Sequence, residues 1–394
     1  MRRARRVSKA CAQGTERKES SHIVMQAYPA VDPIPIPAPI WLIKLLHIVT
    51  LSLHFVAVEM LLGGLLLAVF FSTLRGEASQ VAAKAIARRL TVVMTYVINL
   101  GVPPLLFAQV LYGRALYTSS VLIGAYWISV IFLLTLTYWL LYRFSGRLQA
   151  GRPAWWMGLL AWLLAGSVAR ILSTNMTLML RPEVWRQMYS GSAAGIYLPG
   201  GDPTLTPRWL MMLAAGIFVG GLWLVYLAGR STFTAEEKKF LAAAGGKVAA
   251  IFGLVYLLCG WWASQVQPDA VKAGLATHPL YHFAAFAGYG WLLLVAAAVV
   301  LGGIAGFGKV TAGWLGWAGA VVALLISIAF TVYRDAVRDL TLLSKGFDVW
   351  DRVVATNWGV VGLFLVLFVA SLGVVAWLIS VVARAQKPME GAAQ

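Results

Sequence analysis

The chain alternates between long apolar runs and short polar segments. Each run holds about 20 or more residues, the length that a helix needs to cross a bilayer. The apolar positions are continuous and do not alternate, which favours helices over the strands of a barrel. The pattern therefore predicts an all-α integral membrane protein, a bundle of about nine transmembrane helices. The predicted spans are 42–71, 90–112, 121–142, 156–179, 208–229, 240–262, 281–305, 311–333 and 358–383.

Lysine and arginine are distributed unevenly between the loops that join these spans. Loops 72–89 and 143–155 are basic, whereas loops on the other side, including 263–280 and 334–357, balance Lys and Arg against Asp. Because basic loops stay on the cytoplasmic side, we expect a multi-pass protein of the bacterial cytoplasmic (inner) membrane. Its N-terminus is expected outside and its C-terminus in the cytoplasm.

The ends of the chain differ in composition from its middle. Residues 1–24 are basic and polar, lack the apolar segment of a secretory signal and oppose the predicted orientation. We therefore expect Met25 to be the true start, with a solvated basic tail as the alternative. The predicted organisation is a disordered or extended lead-in over 1–39, a transmembrane domain over 40–383 and a cytoplasmic tail over 384–394.

Composition agrees with a membrane protein and argues against several other classes. Of the 394 residues, 60% are hydrophobic and 12% are charged, and the mean hydropathy is +0.78, unlike a soluble domain. The net charge of +17 would suit nucleic acid, but basic loops in a membrane protein set its orientation, so we expect a lipid bilayer and no nucleic acid as partner. Cys11 and Cys259 form no CxxC or CxxCH motif, which argues against a disulfide framework, an iron–sulfur cluster held by this chain alone and covalently attached c-type haem.

Two histidines stand seven residues apart in the first span, in the segment LHIVTLSLHF. His47 and His54 share a helix face, and a histidine in hydrocarbon is costly and usually functional. A neutral imidazole bound to haem iron explains such a residue, and a hydrogen bond to a neighbouring helix explains it equally. The two lie only about 10.5 Å apart along the helix, so we expect at most one haem ligand from the pair. His47 is nearer the outer interface and is expected to be an interfacial, partly wet ring or a neighbour of the site.

Glu59 is a third polar residue of the first span. It lies about 140° round the helix from His54, so the two do not share a face. An acid at this depth needs a partner or a proton. Arg170 of the fourth span is the predicted partner, either as a structural ion pair or as part of a proton path.

Two further features bear on a cofactor pocket. Pro103 and Pro104 are expected to kink the second span and free backbone carbonyls around it. After the eighth span, the run from Arg334 to Asp339 alternates charges at Arg334, Asp335, Arg338 and Asp339. Such alternation is typical of a solvated face, but Arg334 and Arg338 could also contact haem propionates or an electron-donating partner.

Four segments in order resemble subunit I of the cytochrome bd ubiquinol oxidase superfamily. LHF at 53–55 stands where that family has Tyr-His-Phe, and GVPPLLFAQVLYG at 101–113 is similar to its second-helix segment, which begins Gly-Val and ends Glu-Phe-Gln-Phe-Gly. The stretch 171–182, from ILSTNM to RP, and MMLAAG at 211–216 resemble two later motifs of the family. The resemblance implies nine spans with the predicted orientation, and it places His54 on a family histidine that ligates a haem of the oxygen-reducing pair.

The chain departs from that family at several functional positions. The second-helix Glu of the family is Gln109 here, and the two third-helix glutamates would fall near Leu134 and Tyr142. The quinol-binding loop of the family is long, whereas 263–280 is short. The resemblance therefore implies a scaffold without the family's machinery for oxygen and quinol, and the chain is not expected to reduce oxygen or oxidise quinol on its own.

The low-spin haem of the family is also altered. Its His ligand aligns with Met211 and its Met ligand falls near Phe286. His282 lies about one turn before Phe286 and could replace the lost ligand, opposite Met211. The candidate metal ligands are thus His54 and His282, with Met211, Gln109 and Arg334 as further residues of the cofactor pocket.

These observations favour an electron-transfer membrane subunit of a respiratory complex. It would hold one haem b at His54, with a second possible at His282, and pass electrons to or from partner subunits such as c-type cytochromes. The alternatives are a haem-free membrane anchor or assembly subunit of a respiratory complex, a divergent terminal oxidase subunit that borrows acids from another chain, and an unrelated transporter.

Overall fold

The computed structural model describes residues 28–30, 34–308 and 313–385. The expected start at Met25, the basic segment 1–24 and most of the predicted tail 384–394 lie outside the described residues.

The described part of the chain folds into eleven helices, and nine of them are long and apolar enough to cross a membrane. This confirms the predicted all-α membrane fold and its nine spans. The helices are α1 Ile40–Thr73, α2 Glu77–Leu122, α3 Gly124–Gln149, α4 Trp155–Leu178, α5 Pro182–Gly191, α6 Leu205–Ala228, α7 Ala235–Gln265, α8 Asp269–Thr277, α9 His282–Phe307, α10 Gly313–Leu343 and α11 Trp358–Ala385. The two short ones, α5 and α8, lie in segments that hydropathy predicts as loops.

Helices α2 and α10 continue well past the ends of their apolar runs. Helix α2 has 46 residues and continues through Pro103 and Pro104, and α10 has 31 residues and continues to Leu343. Hydropathy ends a span where charged residues begin. A helix continues as long as its backbone hydrogen bonds do, so the predicted ends of these spans fall short.

Helix α1 lies at the centre of the bundle and packs against α2, α4, α6 and α10. The contact with α6 is backbone to backbone, since a Cβ atom added at Gly63 would lie 1.7 Å from the Gly216 carbonyl oxygen. Small residues allow such close approach between membrane helices. This central position makes α1 the element to which the surrounding helices present their polar side chains.

The described part of the lead-in packs on the side of the bundle where α1 begins and α10 ends, called here the amino-terminal side. The Tyr28 ring lies edge-on to Trp185 and Phe347, with centroids 5.5 and 5.2 Å away. The Ile36 amide donates a hydrogen bond of 2.8 Å to the Val353 carbonyl. These contacts fix the segment before α1 against the loops that close this side.

Candidate functional site

A cavity of about 1740 Å³ lies among the helices and reaches from the middle of α1 to the loops of the amino-terminal side. Its lining brings together five of the sequence-predicted site residues, which are His54, Glu59, Met211, His282 and Arg334. Gln109 and Arg170 do not line it. Five of the seven predicted site residues thus share one cavity, although they come from four helices.

His54 presents one free ring nitrogen to this cavity. Its Nδ1 lies 3.1 Å from the Val97 carbonyl oxygen of α2. A carbonyl only accepts, so Nδ1 carries the proton and the Nε2 lone pair is unused among the described contacts. In a metal-ligating histidine, the ring nitrogen that does not bind the metal usually donates a hydrogen bond, which fixes the tautomer and orients the ring.

Gly101 makes room for that ring. A Cβ atom at this position would lie 2.9 Å from His54 Cε1 and 3.1 Å from Nδ1, closer than carbon atoms tolerate. Gly101 precedes Pro103 and Pro104 on α2, and Gly101 and Pro104 both line the cavity. This segment of α2 therefore shapes the pocket beside the imidazole, as the proline pair suggested.

His47 is a different kind of residue. Its side chain is buried, its Nδ1 lies 3.0 Å from the Pro104 carbonyl oxygen and its Nε2 lies 3.2 Å from Nη1 of Arg338. Nδ1 must donate to the carbonyl, so Nε2 accepts from the guanidinium. Both nitrogens are used within the protein. The predicted interfacial, partly wet ring is wrong because α2 and α10 cover it, and the alternative of a neighbour to the site describes it better.

Arg338 belongs to a buried ion network that ties α1 to α10. Lys44 Nζ donates to Asp335 Oδ2 at 2.8 Å, to the Tyr112 hydroxyl at 3.0 Å and to Asp339 Oδ2. The Arg338 guanidinium lies 3.8 Å from Asp335 Oδ1 and stacks over the Tyr112 ring. Two cations face two carboxylates, so the network is balanced in charge. The contacts within the network compensate for the hydration that these ionic groups lose on burial.

The network continues to the loops of the amino-terminal side. The Tyr281 hydroxyl donates to Asp339 Oδ2 at 3.0 Å, and the Trp350 Nε1 donates to that hydroxyl at 3.1 Å. Burial, together with the Asp339 carboxylate, raises the pKa of Tyr281 above its ordinary value. Tyr281 therefore stays protonated and holds the start of α9 to the end of α10.

The solvated face predicted for Arg334 to Asp339 is wrong. Asp335, Arg338 and Asp339 are buried, at 6%, 4% and 1% exposure. The sequence placed this run in the loop after the eighth span, whereas it lies within α10. Its burial could not be foreseen because the partner that neutralises it, Lys44, is almost 300 residues away in sequence. Lys44 is the one charged residue of the apolar segment IWLIKLLH, near the start of α1. That isolated cation was the signal that a buried acid had to lie elsewhere.

Besides Arg338, two arginines of the membrane-spanning helices line the cavity, and both lie outside this balanced network. Arg334 lies over the Phe55 ring at 5.5 Å. Arg208, absent from the sequence prediction, donates to Thr177 Oγ1 at 2.7 Å and to the Thr204 carbonyl at 3.1 Å. Neither forms an ion pair with a carboxylate of the described residues.

The second candidate ligand pair is less enclosed. Met211 is buried in α6, whereas His282 begins α9, is exposed and has its ring edge-on to Phe286 at 5.4 Å. Both line the same cavity. His282 therefore lies at the rim of the cavity, while His54 is fixed by a hydrogen bond within it.

Glu59 and Arg170 are not brought together. Within the described residues, Glu59 has no ion pair or hydrogen bond, although it interacts electrostatically with Tyr256 of α7. Arg170 lies over the Trp209 ring at 5.5 Å, away from the cavity. Among the described residues that line the cavity, Glu59 is the carboxylic acid that comes from a membrane-spanning helix. Its predicted role in proton exchange remains a hypothesis, and the predicted ion pair has no geometric support.

The lining can be tested for its fit to haem. An imidazole with an anchored Nδ1 and a free Nε2, a glycine that leaves space beside it and unpaired arginines suit a flat, anionic macrocycle. Among the residues that the structure describes, no three His, Cys, Asp or Glu side chains gather as a metal site. Haem needs fewer protein ligands than a bare ion, because the porphyrin ring brings four of its own. The residues present fit haem.

Comparison with known proteins supports the fold independently. The structure is similar to a chain of the bd oxidase from Geobacillus thermodenitrificans, with a TM-score of 0.63 over 90% of this chain and 100% of that chain, at 12% sequence identity. No protein-family model matches the chain, and no curated protein matches it. The chain is a multi-pass membrane protein with a cytochrome bd-like fold, as the order of its sequence motifs predicted.

Proposed function

We propose that this chain is the haem-carrying membrane subunit of a respiratory electron-transfer complex. One haem b binds through His54, and electrons pass to or from partner subunits such as c-type cytochromes. The observation that carries the proposal is the His54 imidazole, whose Nδ1 is held by Val97 while its Nε2 is left to the cavity. The cytochrome bd-like fold supports it.

In this proposal each side chain of the pocket has a separate task. His54 would hold the haem iron through Nε2, the Val97 carbonyl fixes the tautomer of the imidazole, and Gly101 keeps the space beside the imidazole ring. Bound haem would supply one-electron redox chemistry. The apolar wall, which includes Leu134 and Met211, excludes water and keeps the site at low dielectric.

The proposal favours electron transfer over oxygen reduction by this chain alone. Leu134 lies in the lining at a position where the resemblance expects an acid, and Gln109 lies outside the lining. Neither side chain can release a proton. The chain would therefore act within a complex in the bacterial cytoplasmic membrane, with its N-terminus outside and its C-terminus in the cytoplasm.

A difference spectrum of the purified chain tests the proposal. We expect a reduced-minus-oxidised b-type band in the wild type and its loss in His54→Ala. The control His278→Ala should retain the band, because His278 lies outside the cavity lining. A chain without b-type haem, or a band that survives His54→Ala unchanged, would contradict the proposal. Partial loss of haem in His282→Ala would indicate a second haem at the rim.

A further inference from the structure

Three arginines reach the cavity from α6 and α10, but their surroundings differ. The Arg338 guanidinium is engaged by His47, Asp335 and the Tyr112 ring. Arg208 donates to two neutral oxygens. Arg334 makes no hydrogen bond to another described residue, and its partner is the face of Phe55.

Among the three, Arg334 is consequently the arginine to which the described residues offer neither an ion pair nor a hydrogen-bond acceptor. The carboxylate that acts on it most directly is Asp335, which already pairs with Lys44 and Arg338. Arg338 and Arg208 lie near enough to repel it. An arginine inside a membrane bundle is energetically costly unless it pairs with an anion. All three arginines line the same cavity, so an anion bound there would meet the Arg334 guanidinium.

The guanidinium group also restricts the kind of anion. Its planar donors match a carboxylate in a two-point contact. The aromatic face of Phe55 on the other side of Arg334 holds it in place without using those donors. The positive charge of the guanidinium excludes an inorganic cation as the ligand. An uncharged apolar ligand would leave the guanidinium without hydrogen-bond acceptors.

We infer that Arg334, assisted by Arg208, binds the carboxylate groups of the haem that His54 ligates, while Arg338 is held in the His47 network as structural support. This inference rests on the proposed function and assigns its pocket an orientation. The iron would lie at His54, and the edge of the porphyrin that carries the carboxylate groups would face Arg334.

Binding of haem and of its dimethyl ester to the full-length chain tests the inference. The chain would be prepared haem-free in detergent, and binding followed by the Soret absorbance. Wild type is expected to bind haem roughly 10- to 100-fold more tightly than the diester, the range for a lost charge-assisted hydrogen bond. Arg334→Gln should lose this preference, because its affinity for haem falls while its affinity for the diester is unchanged. Arg334→Lys should keep part of the preference.

A matched control separates this effect from general damage. Arg170→Gln removes an arginine that lies outside the cavity and should keep the full preference for haem over the diester. If wild type binds both forms equally, or Arg334→Gln keeps the preference, the carboxylate site is refuted while the haem proposal stands. If wild type binds neither form, the proposed function itself fails and the inference with it.

Discussion

His47 and His54 lie on one face of one helix, yet the structure gives them opposite roles. His47 donates to Pro104 and accepts from Arg338, so its ring is consumed by contacts between α1, α2 and α10. His54 donates to Val97 and faces the cavity with its other nitrogen. The residue type is the same in both cases. What differs is whether the facing helix supplies a guanidinium or an open space, which teaches that a buried histidine is a ligand candidate only when one nitrogen is left over.

The largest effect is expected in the network around His47. Lys44→Met would leave Asp335 and Asp339 facing each other without their shared cation, and breaking a buried pair in this way costs about 3–5 kcal/mol. The free energy of unfolding in mixed micelles would measure it. Lys247→Met removes an exposed lysine that pairs with no described carboxylate and should be nearly neutral. Equal unfolding in both variants would show that the network contributes little.

His47→Ala is expected to reduce stability but not haem binding. It leaves a donor of Arg338 and the Pro104 carbonyl without a partner, at a cost of about 1–3 kcal/mol. Unfolding and the b-type absorbance should both be measured on the same sample. Loss of haem at unchanged stability would overturn the division between the two histidines, because it would make His47 the ligand.

Gly101→Ala should act in the opposite sense, on haem more than on stability. The added methyl group would meet the His54 ring at 2.9 Å and move it from Val97. Loss of such an orienting contact typically weakens metal binding about 10- to 100-fold, which a Soret titration would detect. Gly166→Ala, where a Cβ atom meets nothing within 4 Å, is the control. An unaltered haem affinity in Gly101→Ala would mean that the ring position is unimportant.

The smallest effect concerns Glu59 and Arg170. Because the structure does not pair them, a double-mutant cycle of Glu59→Gln and Arg170→Gln should give a coupling energy within about 0.5 kcal/mol of zero. Unfolding of the two single variants and the double variant measures it. A clearly larger coupling would restore the ion pair that the sequence suggested.

Much of the fold could be predicted from the sequence. The nine spans follow from apolar runs alone, since a bilayer requires about 20 such residues in a row whatever their neighbours are. The end of α10 could not be predicted in the same way, because its charged residues continue the helix where another helix neutralises them. For α10 that partner is Lys44.

The site was predicted in part. His54, Met211, His282, Arg334 and Glu59 were singled out as polar or aligned residues, and the structure places all five around one cavity. The pairing of Glu59 with Arg170 rested on charge alone and lacked any information on which helices touch.

The sequence by itself determined the nine apolar spans of the described part of the chain, and it predicted His54 as a candidate cofactor ligand. Both follow from local pattern: hydropathy over a window, and the order of short motifs along the chain. Only the tertiary structure decided which polar residues satisfy each other. Lys44 meets Asp335 and Asp339 across the bundle, His47 meets Arg338, and the His54 nitrogen and the Arg334 guanidinium remain for the cavity. Electrostatic pairing in a low-dielectric interior depends on distances of a few ångströms between remote segments, and those distances are set by helix packing.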